Sequence, residues 1–266
     1  MRAHWRLIID GPATGASNMA VDEALFESVQ AGGQPVLRLY RWQPGCLSLG
    51  RNQAAAGFDP RIAAARGIDI VRRPTGGLAV YHDRELTYAA ALPARLLGGP
   101  RATYIALNDA LARGLRRLRI DADRVSRSDP PQPVAAPVNG ATRAGTHPCF
   151  EKAAHGEIGV GGRKLVGSAQ RCVAHTVLQH GSILIGGDQS EVLQLEQRDP
   201  VDTSCTSLEA LLGRAPAEHE LELAIRSGFE DELQIAFDAG TLTCAETARA
   251  RVLAERYRSG EWTWRH

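Results

Sequence analysis

Nearly every positive charge in this chain is arginine. Of 31 lysine and arginine residues, only Lys152 and Lys164 are lysine, and Lys164 lies in GRKLVGSAQRC (162–172). Arginine keeps its proton at any working pH, whereas a lysine amine has a tunable pKa and can give and take one. Upstream, Cys149 lies in THPCFEKAAHGE. A nucleophilic cysteine must be reachable and its thiolate stabilised. A loop position would supply the first condition, and the Lys164 ammonium, returned past a hairpin turn, the second. Taken singly, Cys149 reads equally well as a small buried apolar group and Lys164 as a solvated charge. A second constellation is RRPTGGLAVYHD (72–83). Arg72 and Arg73 can meet an anion, while Gly76 and Gly77 let backbone amides approach a carbonyl or phosphate. The same letters also describe a turn between solvated arginines. His147, Cys149, His155, Cys172, His175 and His180 fall close together, but without HExxH or paired CxxC spacing. No metal site is therefore expected, although a Cys149–histidine dyad stays open. Neither GxxxxGK[ST] nor GxGxxG occurs, so no nucleotide cofactor is expected.

These groups need elements to hold them. WRLIID (5–10), PVLRLYRW (35–42), CLSLG (46–50), GIDIVRR (67–73), LAVYHD (78–83), ELTYAAALP (85–93) and VLQHGSILI (177–185) read as strands. EIGV-GG-RKLV (157–166) reads as a hairpin turning at Gly161-Gly162. Helices are expected over 17–30, capped by Ser17 or Asn18, over 58–67, capped by Asp59 with Pro60 at the first position, and over about 102–119. Residues 126–148 hold many prolines and few large apolar groups, which reads as a long ordered loop or a mobile flap. From 188 the pattern is helical, with capping boxes at Thr206-x-x-Glu209 and Thr243-x-x-Glu246. Strands without strict strand–helix alternation predict an α+β fold on a mixed, largely antiparallel sheet. We divide it into a core over 1–187 and a helical C-terminal segment over 188–266 packed on that core.

At 266 residues, 44% apolar, 23% charged and net charge +1, the composition is that of an ordinary globular chain. The absence of a basic excess argues against a nucleic-acid partner. No apolar run approaches the roughly 20 residues of a membrane span, and the N-terminal one is short for a signal peptide. A cytoplasmic monomer, with no membrane partner, is expected. Five widely spaced cysteines are not a disulfide scaffold.

RRPTGGLAVYHDRELTY and GGRKLVGSAQR, with NMAVDEAL before them and LQHGSILI after them, resemble the ordered blocks of the biotin/lipoate protein ligase and lipoyl transferase family. Cys149-Phe150 ahead of the lysine block resembles the cysteine-dependent octanoyltransferase branch. Two departures stand out. Glu-Lys-Ala-Ala-His-Gly-Glu follows Cys-Phe where the family commonly has Pro-Ser and an aromatic residue before the glutamate. Leu78 replaces a third glycine of the arginine block.

The resemblance implies the α+β core shared with class II tRNA synthetases. It implies octanoyl transfer from acyl carrier protein, through a Cys149 thioester assisted by Lys164, to a lysine of a lipoyl domain. That acceptor is a glycine cleavage H protein or a dehydrogenase E2 subunit. The resemblance also makes Arg72, Arg73, Gly76, Gly77, His82, Gly167, Ser168 and Ala169 substrate-binding residues, and requires no cofactor. An ATP-dependent lipoate ligase and a non-catalytic acyl- or lipoyl-domain-binding protein are the alternatives.

Overall fold

The computed structural model describes residues 2–124, 156–187, 189–196 and 205–265. Cys149, His147, His155 and the proline-rich stretch lie outside the described residues. The elements run β1 (Ala3–Ala13), α1 (Gly15–Gln30), β2 (Val36–Trp42), β3 (Cys46–Leu49), α2 (Pro60–Ala65), β4 (Asp69–Arg72), β5 (Val80–His82), β6 (Glu85–Pro93), α3 (Pro100–Arg117), β7 (Asp123–Arg124), β8 (Ile158–Val160), β9 (Arg163–Val173), β10 (Thr176–Leu184), α4 (Glu191–Leu195), α5 (Leu208–Leu212), α6 (Glu218–Leu233), β11 (Ile235–Ala239), α7 (Cys244–Arg258) and α8 (Gly260–Thr263).

Among the described residues, eight strands form one mixed sheet in the order β11-β1-β2-β6-β10-β9-β8-β7, and β4-β3-β5 form a second. β1 runs parallel to β2 and β11, and the remaining pairs of the large sheet are antiparallel. The α+β expectation stands.

Period-two alternation sorts the large sheet into two faces. Leu37, Leu39, Leu86, Tyr88 and Leu92 pack with Leu107, Leu111 and Leu115 of α3 and with Leu221, Ile225 and Phe229 of α6. Val36, Tyr40, Ala89, Ala91 and Leu178 pack on the other face with Met19, Leu25 and Phe26 of α1 and Leu253 and Tyr257 of α7. The small sheet buries Leu47 and Leu49 against Phe58, Ala63, Val192 and Leu195.

Several local expectations need correcting. The cap of α1 is Thr14, whose side chain accepts from the Ser17 amide, not Ser17 or Asn18. Asn18 is buried instead, donating to the carbonyls of Ala13 and Arg41. Ser207, not Thr206, caps α5. The segment after 188 carries helices but also β11, which extends the large sheet beside β1. Gly161-Gly162 form the expected turn, both with positive φ. Ala174-His175 turn β9 into β10 in the same left-handed region without glycine. Among the described residues no helix is long and apolar enough to cross a membrane.

Candidate active site

Where the small sheet faces the α1 side of the large one, a narrow cleft opens. Met19 of α1, Tyr40 and Trp42 of β2, Val80 of β5 and Gly167 and Gly181 of the β9–β10 pair form its apolar walls. Gly181 is required by close approach. A Cβ there would meet the Gly167 carbonyl oxygen at 2.2 Å and the Tyr88 ring at 2.9 Å.

The polar groups around the cleft are tied to one another. His82 Nδ1 lies 2.9 Å from Glu85 Oε1, and its Nε2 lies 2.7 Å from Ser48 Oγ. A carboxylate only accepts, so Nδ1 carries a proton. Thr87 and Ser182 also donate to Glu85 Oε1, at 2.5 and 2.8 Å. The Trp42 indole stacks on His82, with ring centroids 4.0 Å apart, and donates to Thr87 Oγ1 at 2.7 Å.

A second chain of the same kind runs beside it. Thr75 Oγ1 lies 2.6 Å from His180 Nε2, and His180 Nδ1 lies 3.0 Å from Asp22 Oδ2. Arg38 donates to Asp22 Oδ1 at 2.8 Å, and Tyr40 to Oδ2 at 2.8 Å. Burial pushes the Asp22 carboxyl up, but His180 and Arg38 more than offset this and hold it below its ordinary value. Burial lowers His180, outweighing Asp22, whose charge Arg38 already balances. The ring therefore stays neutral. Most of their donors and acceptors are engaged, Glu85 Oε2 excepted among the described residues, so these side chains offer mainly carbon to the cleft, which suits an alkyl chain.

The structure distributes the sequence-singled residues unevenly. Arg73, His82, Gly167, Ser168 and Ala169 line the cleft together; Arg72, Gly76 and Gly77 are not among its lining residues. The guanidinium of Arg73 donates to the carbonyls of Ser48, Gly76 and Leu78, fixing the glycine loop against β3. Arg72 is fully buried and donates to the carbonyls of Gly50, Gln53 and Thr263. Ser168 turns to the α3 face, where its hydroxyl meets Tyr88 and Asn108.

Lys164 lies on the same strand as Gly167. It is buried, with Nζ 2.7 Å from Glu157 Oε1. β8 pairs with β9 only as far as Val166, so beyond that point alternate β9 amides face away from β10. Burial, with Asp69 and Glu85 nearby, pushes the Cys46 thiol well up. Cys172 and Cys244 are exposed and Cys205 is half-buried. Among the described residues no group of three or more histidine, cysteine or carboxylate side chains could hold a metal ion.

Asp22, Arg38, Ser48, Glu85 and Glu157 are the polar residues that sequence reasoning left without a role here, whereas His180 had been weighed as a metal ligand or a partner of Cys149. A signal existed for two of them. Arg38 and Glu85 occupy positions in VLRLYRW and ELTYAAALP whose same-face neighbours are mostly apolar.

Over its whole length the chain is similar to known proteins. The lipoyl protein ligase A/B catalytic domain model matches residues 14–230. The chain is 37% identical to an octanoyltransferase LipM of Kyrpidia tusciae over 98% of both chains. It is 31% identical to the octanoyltransferase LipM of Staphylococcus aureus over 100% of both. Among solved structures it is similar to a lipoate-protein ligase A bound with ATP, at 25% identity and a TM-score of 0.78 over 98% of each chain.

Proposed function

The chain belongs to the lipoyl protein ligase A/B catalytic domain family, and on that footing we propose that it is an octanoyltransferase of lipoate biosynthesis, working in the cytoplasm. The observation that carries this reading is a narrow cleft, lined mainly by carbon, in a chain similar end to end to octanoyltransferases.

The donor is octanoyl-acyl carrier protein, and the octanoyl chain lies in the cleft. Cys149, as thiolate, attacks the thioester carbonyl and takes the acyl group. The ammonium of Lys164 favours that thiolate. Amides near Gly167-Ser168, or in the Gly76-Gly77 loop, hold the oxyanion. A lysine amine of a lipoyl domain then attacks the acyl-cysteine, and Lys164 manages the proton that must leave this amine. The thioester is already activated and the amide is more stable, so the transfer needs neither ATP nor a metal.

The test is to mix purified protein, octanoyl-acyl carrier protein and apo lipoyl domain, with EDTA and without nucleotide, and to weigh the acceptor. The expected result is a lipoyl domain heavier by one octanoyl group. Product formed only from ATP and free octanoate or lipoate would establish the ligase instead. Binding of the acyl group or the acceptor without any product would leave a non-catalytic carrier.

A further inference from the structure

Arg51, Arg72, Arg171, Arg256 and Arg265 gather beside the cleft. Arg171 lies on β9 two residues beyond Ala169, a cleft residue, and so on the same face of the strand. Arg51 follows β3, and its amide donates to the carbonyl of Thr75, just ahead of Gly76-Gly77. Arg72 ends β4, Arg256 lies near the end of α7, and Arg265 follows α8. The guanidinium carbons of Arg51, Arg256 and Arg265 lie 5.7, 4.4 and 3.6 Å from the ring centre of Trp262. Arg72 and Arg265 both donate to the Arg51 carbonyl, at 3.4 and 3.0 Å. Among the described residues, the carboxylate that meets this cluster is Glu23 of α1, one turn on from Met19 of the cleft wall. Arg171, Arg256 and the Tyr257 hydroxyl already share it. Glu261, beside Trp262, is exposed and bonded to none of these arginines.

Such a cluster is unfavourable without an anion, because like charges repel and water is partly excluded. Burial, and then neighbouring arginines, hold Arg51, Arg72 and Arg265 below the ordinary guanidinium value. Nε of Arg256, Nε of Arg265 and Nη2 of Arg72 are buried with no acceptor among the described residues. The Arg51 guanidinium has no hydrogen bond or ion pair among them and meets only the face of Trp262. Stacking on an aromatic face holds a guanidinium while leaving its N–H edge to bind, and that fork matches the oxygens of a phosphate. Three guanidiniums about one ring make a compact site, suited to a single phosphate group rather than to the broad acidic face of a protein.

We propose that Arg51, Arg171 and Arg265 form a binding site for the phosphate group on the thioester-bearing arm of the acyl donor. This rests on the octanoyltransferase reading above. The acyl thioester of a carrier protein sits at the end of a phosphopantetheine arm, so each donor brings one phosphodiester. With the alkyl chain in the cleft and the thioester beside Gly167, the arm leaves over β9. Gly167 and Arg171 are four residues apart on that strand, about 13 Å. An arm that follows β9 therefore passes Ala169 and meets Arg171, with Arg51 and Arg265 behind it. Carbon holds one end of the donor and arginine the other, which fixes the thioester between them.

The test uses inert ligands in which a thioether replaces the thioester, S-octyl-phosphopantetheine and S-octyl-pantetheine. Isothermal titration of the whole chain gives the two affinities. The phosphorylated ligand is expected to bind about tenfold more tightly or better, as a charge-assisted hydrogen bond would give. Arg51→Gln and Arg265→Gln should each remove most of that margin and leave the affinity for S-octyl-pantetheine unchanged. Arg51→Lys should keep part of it, and added salt should shrink it. The Arg51 side chain has no hydrogen bond to lose, so Arg51→Gln is expected to fold, which its melting curve checks. Equal affinities for the two ligands, or an unchanged margin in both variants, would overturn the proposal. So would inorganic phosphate binding as tightly as the phosphorylated ligand, which would mark a general phosphate site. A loss confined to intact octanoyl-acyl carrier protein would refute it too, by making the cluster a docking face for an acidic protein. The titrations need no turnover. A margin in a protein that transfers no octanoyl group would sink the transferase reading and keep the site, whereas transfer without any margin would sink the site alone.

Discussion

Lys164→Arg keeps a positive charge at its site and removes the proton that can be handed over. The expected outcome in single-turnover assays is an enzyme that still takes the acyl group but stalls, with transfer to the lipoyl domain slowed by about 10²–10⁴. Lys164→Ala should lose both steps, and the pH midpoint of Cys149 alkylation should rise towards the roughly 8.5 of a free thiol. An unchanged alkylation profile would remove Lys164 from thiol activation. Acid sensitivity is a second expectation at this scale. His180 is buried as the neutral ring, with its folded pKa below the ordinary 6.5. The stability it contributes is complete above about 6.5 and is lost as pH falls towards and through the lowered value. Asp22, held below 3.8 by His180 and Arg38 against burial, adds a further loss at lower pH. The melting temperature should therefore decline as pH falls below about 6.5, and decline less in His180→Gln. The oddity of Lys164 among arginines, and the paired glycines after Arg73, were legible in the sequence. The partners were not. Glu157 lies seven residues from Lys164 and reaches it only because Gly161-Gly162 fold β8 back on β9. Asp22 and His180 are joined across 158 residues.

At the scale of elements, the cleft depends on two strands lying close where neither has a side chain in the way. Gly181→Ala puts a methyl group against the Gly167 carbonyl. Overpacking of this kind costs about 1–3 kcal/mol. A lower melting temperature and a raised KM for the octanoyl donor are expected together, because the added carbon also enters the cleft wall. A change in stability with unaltered KM would separate Gly181 from acyl binding. Strand and helix positions were readable because alternation and stop signals are local. The capping box of α7 at Thr243 and Glu246 and the Asp59–Pro60 start of α2 stand as read. The misplaced α1 cap came from local preference, since Thr14, Ser17 and Asn18 are all good caps and tertiary demand placed Asn18 indoors. β11 was missed because IAFDA is short and follows a helix directly; its pairing with β1 is set by chain more than 200 residues away.

At the scale of the molecule, the C-terminal part is woven into the rest. β11 pairs with β1, α6 packs on α3, and α7 lies along α1. Arg256 and Tyr257 of α7 both reach Glu23 of α1. Arg72 donates to the carbonyl of Thr263, and the Trp262 indole donates back to the Arg72 carbonyl at 2.8 Å. A chain ending at residue 187 should therefore show no cooperative thermal transition, since the faces of β1, α1 and α3 would lie open. A truncated chain that melts sharply and still transfers octanoate would establish an independent core. Arg72→Ala should cost about 2–4 kcal/mol by denaturant titration, since several buried carbonyls lose a charged donor at once. On the proposed mechanism, all of these elements serve a covalent transfer in which Cys149 carries the acyl group. The most direct measurement is mass mapping of the enzyme after incubation with octanoyl-acyl carrier protein in the absence of acceptor. One octanoyl group on Cys149 alone among the five cysteines, discharged when apo lipoyl domain is added without ATP, is the expected result. An adduct on Cys46, Cys172, Cys205 or Cys244, or full turnover by an enzyme that never carries the acyl group, would contradict it.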